Sequence, residues 1–174
     1  MIFYEDSTVV IRSMADADAE VLAAGEIAQG WGDTTEKHRM RLRDQAAGRC
    51  IALAAEYCGQ TAGYLSVYFQ AEHGPFAGKG CPELVDFGVL EKFRRHGIGG
   101  KLMDAAEKLA SERSPVVALG VGLHSGYGSA QRMYVMRGYV PDGSGVWYRD
   151  KVCPPYGDCR NDDDLVLYMS KKLR

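Results

Sequence analysis

The sequence predicts a mixed α/β fold in which helices flank a central sheet, contained in a single domain over residues 1–174. Strand-like apolar segments alternate with segments of helical periodicity along the chain. One buried strand is followed by a glycine-rich turn, an amphipathic helix and a second buried strand, which is the pattern of a βαβ unit. The length of 174 residues suits one domain of ordinary size and is too short for two independent cores.

The first 70 residues predict one strand, two helices and an antiparallel strand pair. The expected ranges are 8–12 for the strand, 15–30 and 34–47 for the helices, and 50–56 and 61–69 for the pair. Asp16 is expected to cap the first helix, and Gly30 is expected to end it. The sequence Cys58-Gly59-Gln60 is typical of the turn that joins two antiparallel strands.

A glycine- and proline-rich loop over residues 70–82 precedes the segment that carries the strongest signal. Residues 83–90 (ELVDFGVL) are mostly apolar on both faces, which predicts a strand in a sheet that is covered on both sides. Residues 97–112 have the periodicity of an amphipathic helix, and residues 115–121 form another buried strand. Because a helix connects these two strands, we expect a parallel, right-handed pair.

The last third of the chain predicts a short helix over residues 127–137, which Gly138 ends. Two closing strands are expected at 139–141 and 165–173. The connection between them, residues 141–164, contains Trp147, Tyr148 and Tyr156. A loop of this length is usually functional or mobile, so we expect it to cover one side of a cleft.

The composition excludes several classes of protein. The chain has 46% hydrophobic and 25% charged residues and a net charge of -2, which argues against disorder and against a dedicated nucleic-acid binder. Its five cysteines form no C-x-x-C motif, which favours reduced thiols in the cytoplasm. The chain has neither an apolar run of about 18 residues nor the pattern of a signal peptide, so we expect no membrane association.

The turn Arg94-Arg95-His96-Gly97-Ile98-Gly99-Gly100-Lys101 predicts an anion site where a strand leads into a helix. Backbone N–H groups and the positive end of the helix dipole would point towards the ligand, and the absent side chains of Gly97 and Gly99 would let a diphosphate approach. Arg94, Arg95 and Lys101 would add positive charge. The alternative is a turn that only needs positive φ and carries solvated basic residues. A Walker A loop is excluded, because no G-x-x-x-x-G-K-[ST] occurs.

Two motifs resemble those of the GNAT superfamily of acetyl-coenzyme A dependent N-acetyltransferases. Arg94-x-x-Gly97-x-Gly99 after an apolar strand is similar to motif A of that family (Q/R-x-x-G-x-G/A). Ala130-x-x-x-Tyr134-x-x-x-Gly138-Tyr139 is similar to its helix-and-strand signature. The order of elements along nearly the whole chain also resembles the family. Where relatives often carry asparagine, seven residues before the tyrosine, this chain has Tyr127.

The resemblance implies a GNAT-type sheet, mixed and mostly antiparallel, with a parallel splayed strand pair and flanking helices. It also implies that acetyl-coenzyme A is the cosubstrate. The residues that it assigns to the coenzyme are Val89, Leu90, Arg94, Arg95, His96, Gly97, Ile98, Gly99, Gly100 and Lys101. The pantetheine would add to the edge of the strand at Val89 and Leu90, with Gly88 suited to a bulge. A backbone N–H near Val89 would polarise the thioester carbonyl.

Acetyl transfer from a thioester to an amine needs a proton donor and a proton acceptor. An alkylammonium with a pKa near 10 must lose a proton, and the departing thiolate must gain one. By the resemblance, Tyr134 is the general acid. Glu83 or Asp86 would be the base, acting directly or through a water molecule. Each carboxylate is equally explained as a capping or paired surface group.

No metal site is expected, because the four histidines lack ligand spacing and Cys153 and Cys159 have no neighbouring histidine. The acceptor is expected to be the amine of a small molecule. Arg39, Arg41 and Arg43 would either shape a site for an acidic acceptor or form a solvated helical face. The sequence leaves open a monomer or a homodimer.

Two other functions remain open. One is a GNAT-like module that binds coenzyme A as a sensor without catalysis. The other is an NADP-binding oxidoreductase, since Gly120-x-Gly122-x-x-x-Gly126 follows a strand and precedes a helix.

Overall fold

The computed structural model describes residues 1–173, which divide into two compact units. Unit 1 consists of residues 1–68 and 84–109, and unit 2 consists of residues 69–83 and 110–173. Within these residues there are nine strands and four α-helices.

Unit 1 is built on a sheet with helices packed against it. Its strands are β1 (Ile2–Glu5), β2 (Val9–Ser13), β3 (Cys50–Tyr57), β4 (Gln60–Tyr68) and β5 (Glu83–Val89), and its helices are α1 (Asp16–Ala28), α2 (Thr35–Ala46) and α3 (Ile98–Ser111). The first residue of β5 and the last two of α3 belong to unit 2. The strands lie in the order β1-β2-β3-β4-β5, and the pairs from β1 to β4 are antiparallel.

The apolar periodicity of α3 explains how this helix packs. Ile98, Leu102, Met103 and Ala106 are at most 1% exposed, so the predicted face of the helix is the buried one. Leu53 and Leu65 oppose each other across β3 and β4 and are fully buried. Unit 1 therefore has its own apolar core, and the start of α3 is anchored in it.

The N-terminus of α1 differs from the prediction. The N-cap position is occupied by Ala15, and Asp16 is already helical. A carboxylate oxygen of Asp18 accepts a hydrogen bond from the Ala15 backbone N–H at 2.8 Å, and the same group forms an ion pair with Arg12. The predicted Asp16 cap is therefore wrong, because Asp18, two residues further along, accepts the hydrogen bond from the Ala15 N–H.

A buried polar cluster joins α1, α2 and β4. Glu26 is fully buried, and its Oε2 lies 2.8 Å from Nε2 of His38, while the hydroxyls of Tyr64 and Thr34 donate hydrogen bonds to the same carboxylate. Burial alone would raise the pKa of Glu26, but the hydrogen bonds from these three groups lower it to about 2. The carboxylate is thus a satisfied structural anion that orients α2.

Unit 2 contains a second antiparallel strand arrangement. Its strands are β6 (Val116–Gly122), β7 (Val140–Tyr148), β8 (Lys151–Val152) and β9 (Leu165–Lys172), and its α-helix is α4 (Gly128–Met136). The strands lie in the order β6-β9-β7-β8, and each neighbouring pair is antiparallel. Single turns of 3₁₀-helix occur at Gly74–Phe76 and Ser125–Tyr127.

The largest difference from the sequence-based elements is the length of β7. The segment predicted as a strand over 139–141 and a loop from 141 is one strand as far as Tyr148, followed by β8. Gly143 and Gly145 have φ of 92° and 87°, and the pairing with β9 shifts register between Pro141 and Val146. Glycine can adopt this bulged backbone without a steric penalty, so the strand continues through residues that are typical of a loop.

β1 and β8 were missed. Apart from β7, every predicted helix and strand is present with ends shifted by at most two residues. The predicted fold class, a mixed α/β structure with a mostly antiparallel sheet and flanking helices, is confirmed. None of the helices within residues 1–173 is both long and apolar enough to cross a membrane.

Candidate active site

The turn that leads into α3 presents a run of unpaired backbone donors. The Arg94 N–H donates to the Glu91 carbonyl at 3.1 Å, and the next N–H with a backbone acceptor is that of Lys101, which donates to the Gly97 carbonyl at 3.2 Å. For the amides of residues 95–100, no acceptor occurs within the described part of the chain. Because α3 is 14 residues long and its N-terminal amides point out of the helix, this turn has the backbone geometry with which helix N-termini bind anions.

The three glycines of this turn differ in what an added side chain would meet. Gly97 has a φ of 76°, which disfavours any residue with a side chain. A Cβ on Gly99 would lie 3.1 Å from Cζ of Phe87, so a larger residue would require this ring of β5 to move by a few tenths of an ångström. A Cβ on Gly100 would meet nothing within 4 Å. The sequence assigned the close approach of a ligand to Gly97 and Gly99, but at Gly99 the nearest neighbour is the protein itself.

The basic residues of the turn are partly committed to protein contacts. Arg94 donates from Nε to the Val89 carbonyl at 3.3 Å and pairs with Glu91, so it links the turn to the end of β5. Nδ1 of His96 lies 3.2 Å from the Phe93 carbonyl oxygen. Arg95 is exposed and has a φ of 67°.

Lys101 is held by the hairpin of β1 and β2. Its ammonium forms an ion pair with Asp6 and donates to the Tyr4 hydroxyl at 2.7 Å. This pairing lowers the pKa of Asp6 and raises the pKa of Lys101. The sequence assigns Lys101 to an anionic ligand, and the structure gives this cation a protein partner, Asp6.

The strand edge expected to receive pantetheine ends at Val89 and Leu90. The Leu90 N–H donates to the Ala62 carbonyl at 2.9 Å, which ties this end of the strand to β4. Gly88 is close to Tyr64, since a Cβ there would lie 2.7 Å from the Tyr64 hydroxyl. Asp86, within β5, has a φ of 53°, in the left-handed region. The bulge at Gly88 stays a prediction.

Asp86 is bound to a cation on α2. Its Oδ2 accepts a hydrogen bond from Nε of Arg41 at 2.7 Å, and Nη1 of Arg41 donates to the Tyr68 hydroxyl at 2.5 Å. Burial of Arg41 opposes its charge, but Asp86 and Tyr68 together raise the pKa of this arginine. Arg41 is therefore neither a solvated residue nor available for an acidic acceptor, and one oxygen of the candidate base Asp86 is occupied.

Glu83, the other candidate base, is half-buried at the start of β5. Its charge acts on Tyr168, whose pKa is raised to about 12 by burial and then by Glu83 and Asp150. The Tyr168 ring also fills the space beside Gly74 and Gly120, where an added Cβ would collide with it or crowd it. Glu83 therefore lies near the Tyr168 phenol, whose raised pKa keeps this phenol protonated at neutral pH.

Tyr134, the candidate acid, lies on α4 in unit 2 and is only 6% exposed. Its ring packs edge-on against that of Tyr139, with 5.8 Å between the ring centroids. Burial, aided by Tyr127, raises the pKa of Tyr134. The phenol therefore keeps its proton throughout the neutral pH range, as a general acid must.

The sequence patterns did not predict the cluster of polar contacts around Tyr127. The hydroxyl of Tyr127 donates to Oδ1 of Asp163 at 2.8 Å, and Nε2 of His124 lies 2.9 Å from the same oxygen. The Tyr127 ring occupies the space that a side chain at Gly122 would need. Tyr127 thus has a structural partner of its own, and Asp163 could not be found from sequence because it is 36 residues away.

The residues described by the structure contain no group of three or more His, Cys, Asp or Glu side chains that could hold a metal ion. Histidines 38, 96 and 124 each contact a carboxylate or a carbonyl instead.

Comparisons with known proteins identify the family. Residues 14–139 match the family model described as the Acetyltransferase (GNAT) family. No curated protein matches the chain in sequence.

Solved structures share the fold at low sequence identity. An acetyl transferase from Salmonella typhimurium, which modifies the N-terminal serine of the 50S ribosomal subunit protein L7/L12, has a TM-score of 0.74 and 10% identity over 100% of both chains. A ribosomal-protein-alanine N-acetyltransferase from Brucella melitensis has a TM-score of 0.66 and 22% identity, covering 94% of this chain and 99% of its own. A putative acetyltransferase from Salmonella typhimurium, solved with its cofactor acetyl-CoA, has a TM-score of 0.66 and 17% identity, covering 97% of this chain and 95% of its own.

Proposed function

The chain belongs to the GNAT family of acetyltransferases, which take the acetyl group from acetyl-coenzyme A, and we propose that it transfers this group directly to a primary amine of a small molecule. The observation that carries the proposal is the run of unpaired amides from residue 95 to residue 100 at the start of α3. Such a run has the chemistry of a site for a phosphate group. The family and the donor agree with the sequence-based prediction.

The residues of this turn fit the coenzyme. The amides of Arg95, Gly97, Gly99 and Gly100 bind its pyrophosphate, and the exposed Arg95 adds a positive charge beside them. Ile98 and His96 hold the turn in shape, since Ile98 is buried and His96 packs its ring 4.5 Å from that of Tyr57. Val89 and Leu90 present the strand edge to the pantetheine.

The chemical step divides between backbone and side-chain donors. Acetyl-coenzyme A supplies an acetyl group activated as a thioester. The backbone N–H of Val89 stabilises negative charge on the carbonyl oxygen under attack. Tyr134 supplies the proton that the departing sulfur needs, and its raised pKa keeps that proton in place until the transfer.

The acceptor ammonium must lose a proton before it can attack. Glu83 and Asp86 both stay candidates for the base, and Asp86 would act with its Oδ2 bound to Arg41. Glu83 would act through a water molecule, with solvent as the final acceptor of the proton.

Two features of unit 2 change what was expected of the loop over residues 141–164. The irregular connection is only residues 153–164, after β8. Trp147 is held inside unit 2, because its Nε1 donates a hydrogen bond to Ser144 at 2.7 Å. A protein N-terminus is the second candidate acceptor, favoured by the activities named for two of the solved structures above. A cytoplasmic location and a homodimer stay predictions.

The test is calorimetric titration with acetyl-coenzyme A, followed by an assay of free coenzyme A release. The acceptor panel contains small diamines, amino acids and amino sugars, together with short peptides that begin with serine or alanine. We expect micromolar binding of the donor and turnover with a small amine. Turnover with the peptides alone would replace the small-molecule acceptor by a protein terminus. Binding without turnover would favour the sensor module, and binding of NADPH instead of acetyl-coenzyme A would overturn the proposal.

A further inference from the structure

Two cysteines of unit 2 flank a tight turn that immediately follows β8. Cys153 is anchored to β7, because its backbone N–H donates to the Val146 carbonyl at 2.8 Å. The next four residues, 154–157, close a turn in which the Gly157 N–H donates to the Pro154 carbonyl at 3.0 Å. Cys159 lies two residues after this turn. The chain therefore reverses direction between the two thiols.

The turn is stiff. Pro155 occupies its second position, where the proline ring sets φ near the value that the turn requires. Tyr156 occupies the third position with a φ of 61°. Proline followed by a residue with positive φ is the geometry of a type II turn. With two consecutive prolines, few other backbone arrangements are open to this segment, so the separation of the cysteines is restricted before any bond forms between them.

The two thiols influence each other, because Cys159 raises the pKa of the Cys153 thiol. Both are free thiols, one directly before the turn and the other two residues after it. The other cysteines differ from this pair. Cys50 and Cys81 are buried and contact backbone carbonyl oxygens, and Cys58 is exposed at the turn between β3 and β4.

We propose that Cys153 and Cys159 are a redox modification site at which a hydroperoxide converts the two thiols into a reversible disulfide. In the first step, the Cys159 sulfur attacks the peroxide, the O–O bond breaks, and a sulfenic acid and one water or alcohol form. In the second step, the Cys153 sulfur attacks the sulfenic sulfur and a water leaves. The two sulfurs lose two electrons, and the peroxide gains them.

The local chemistry sets this order. Cys159 is exposed, whereas Cys153 is partly covered. Cys159, and then burial, raises the pKa of the Cys153 thiol to about 11. Cys153 therefore stays protonated when the first sulfur reacts. As its thiolate, it then attacks the sulfenic sulfur on the other side of the turn.

The disulfide would act on a segment that is anchored at both ends and exposed between them. Asp150, before the segment, accepts a hydrogen bond from the Gly74 N–H at 2.7 Å. Asp164, after the segment, forms an ion pair with Arg149. Residues 154–161 are all exposed. Closing the bond between residues 153 and 159 would remove conformational freedom from the middle of this segment, independently of acetyl transfer.

The sequence offers a direct measurement. Trypsin cleaves after Lys151 and Arg160, which places both thiols in the single peptide 152–160 (VCPPYGDCR). The reduced, full-length protein is treated with hydrogen peroxide, and the remaining thiols are alkylated before digestion. We expect peptide 152–160 to appear without alkyl groups and about 2 Da lighter than its dithiol form, since a disulfide lacks two hydrogens. Dithiothreitol should restore both alkylation sites.

Three variants act as controls. Cys58→Ser should leave the light peptide unchanged, whereas Cys153→Ser and Cys159→Ser should each abolish it. Pro155→Gly keeps both thiols but loosens the turn, and it should slow disulfide formation by about tenfold through a lower effective concentration. The proposal is wrong if peptide 152–160 carries two alkyl groups at peroxide concentrations that oxidise Cys58. It is equally wrong if Pro155→Gly and the wild type close at the same rate.

Discussion

The turn before α3 and the helix α4 carry the two sequence motifs that resemble those of the GNAT family, but the chemical groups that they offer are opposite in kind. The turn offers unpaired backbone amides, and its side chains other than the buried Ile98 are absent, exposed or bound to other groups. Helix α4 offers a single phenol, that of Tyr134, which is buried and whose pKa is raised. We therefore expect the turn to lose coenzyme binding when a side chain is added to it. We expect α4 to lose its contribution to catalysis when the Tyr134 oxygen is removed.

The largest effect is expected from adding atoms to the turn. We expect Gly99→Val to weaken the binding of acetyl-coenzyme A by more than about 100-fold, because several charge-assisted hydrogen bonds to the amides would be lost. Calorimetric titration measures the change. Circular dichroism checks that the variant folds, since the first carbon of the new side chain would already be 3.1 Å from Phe87.

The double variant Gly99→Val with Phe87→Ala separates the two possible causes of this loss. Removing the Phe87 ring relieves the clash inside the protein but leaves the new side chain beside the amides. Binding should therefore stay weak in the double variant. If affinity returned to that of Phe87→Ala alone, the closed anion site would be excluded as the cause.

The second effect is expected from removing one oxygen on α4. Tyr134→Phe should lower kcat by about 100-fold, a typical magnitude for general acid catalysis, and should leave the affinity for acetyl-coenzyme A nearly unchanged. Tyr139→Phe is the matched control, because its ring packs directly against that of Tyr134. Equal losses in both variants would mean that packing, and not proton donation, explains the effect.

The pH profile tests the same assignment. Because the pKa of Tyr134 is raised, its phenol should remain protonated beyond the ordinary value of about 10. The wild-type kcat should therefore not fall through loss of this proton between pH 7 and about 10. A tyrosine with an unshifted pKa would produce an alkaline limb near pH 10, and that limb would disappear in Tyr134→Phe.

The smallest effect is expected at Lys101. Asp6→Asn removes the carboxylate that pairs with this ammonium and should tighten coenzyme binding by about threefold at low salt, a gain that higher salt should screen. Titrations at two salt concentrations measure it. Unchanged affinity at both would show that Lys101 makes no contact with the ligand even when it is released.

Local patterns predicted most of the secondary structure and the position of the anion site. The spacing of apolar residues predicts helix α3, and three glycines within four residues predict the turn before it. The pattern failed in β7, where Pro141, Gly143 and Gly145 are typical of a loop. There the hydrogen bonds supplied by β9 override the local preferences of the residues.

The sequence by itself determined which backbone amides would be unpaired and which tyrosine stands in the family motif, because both depend on residues within one or two turns of chain. Only the tertiary structure decided the partners of the charged groups. Lys101 pairs with Asp6 across 95 positions, and Arg41 pairs with Asp86 across 45. Such pairs depend on strand register and on how helices pack, and no local pattern encodes them.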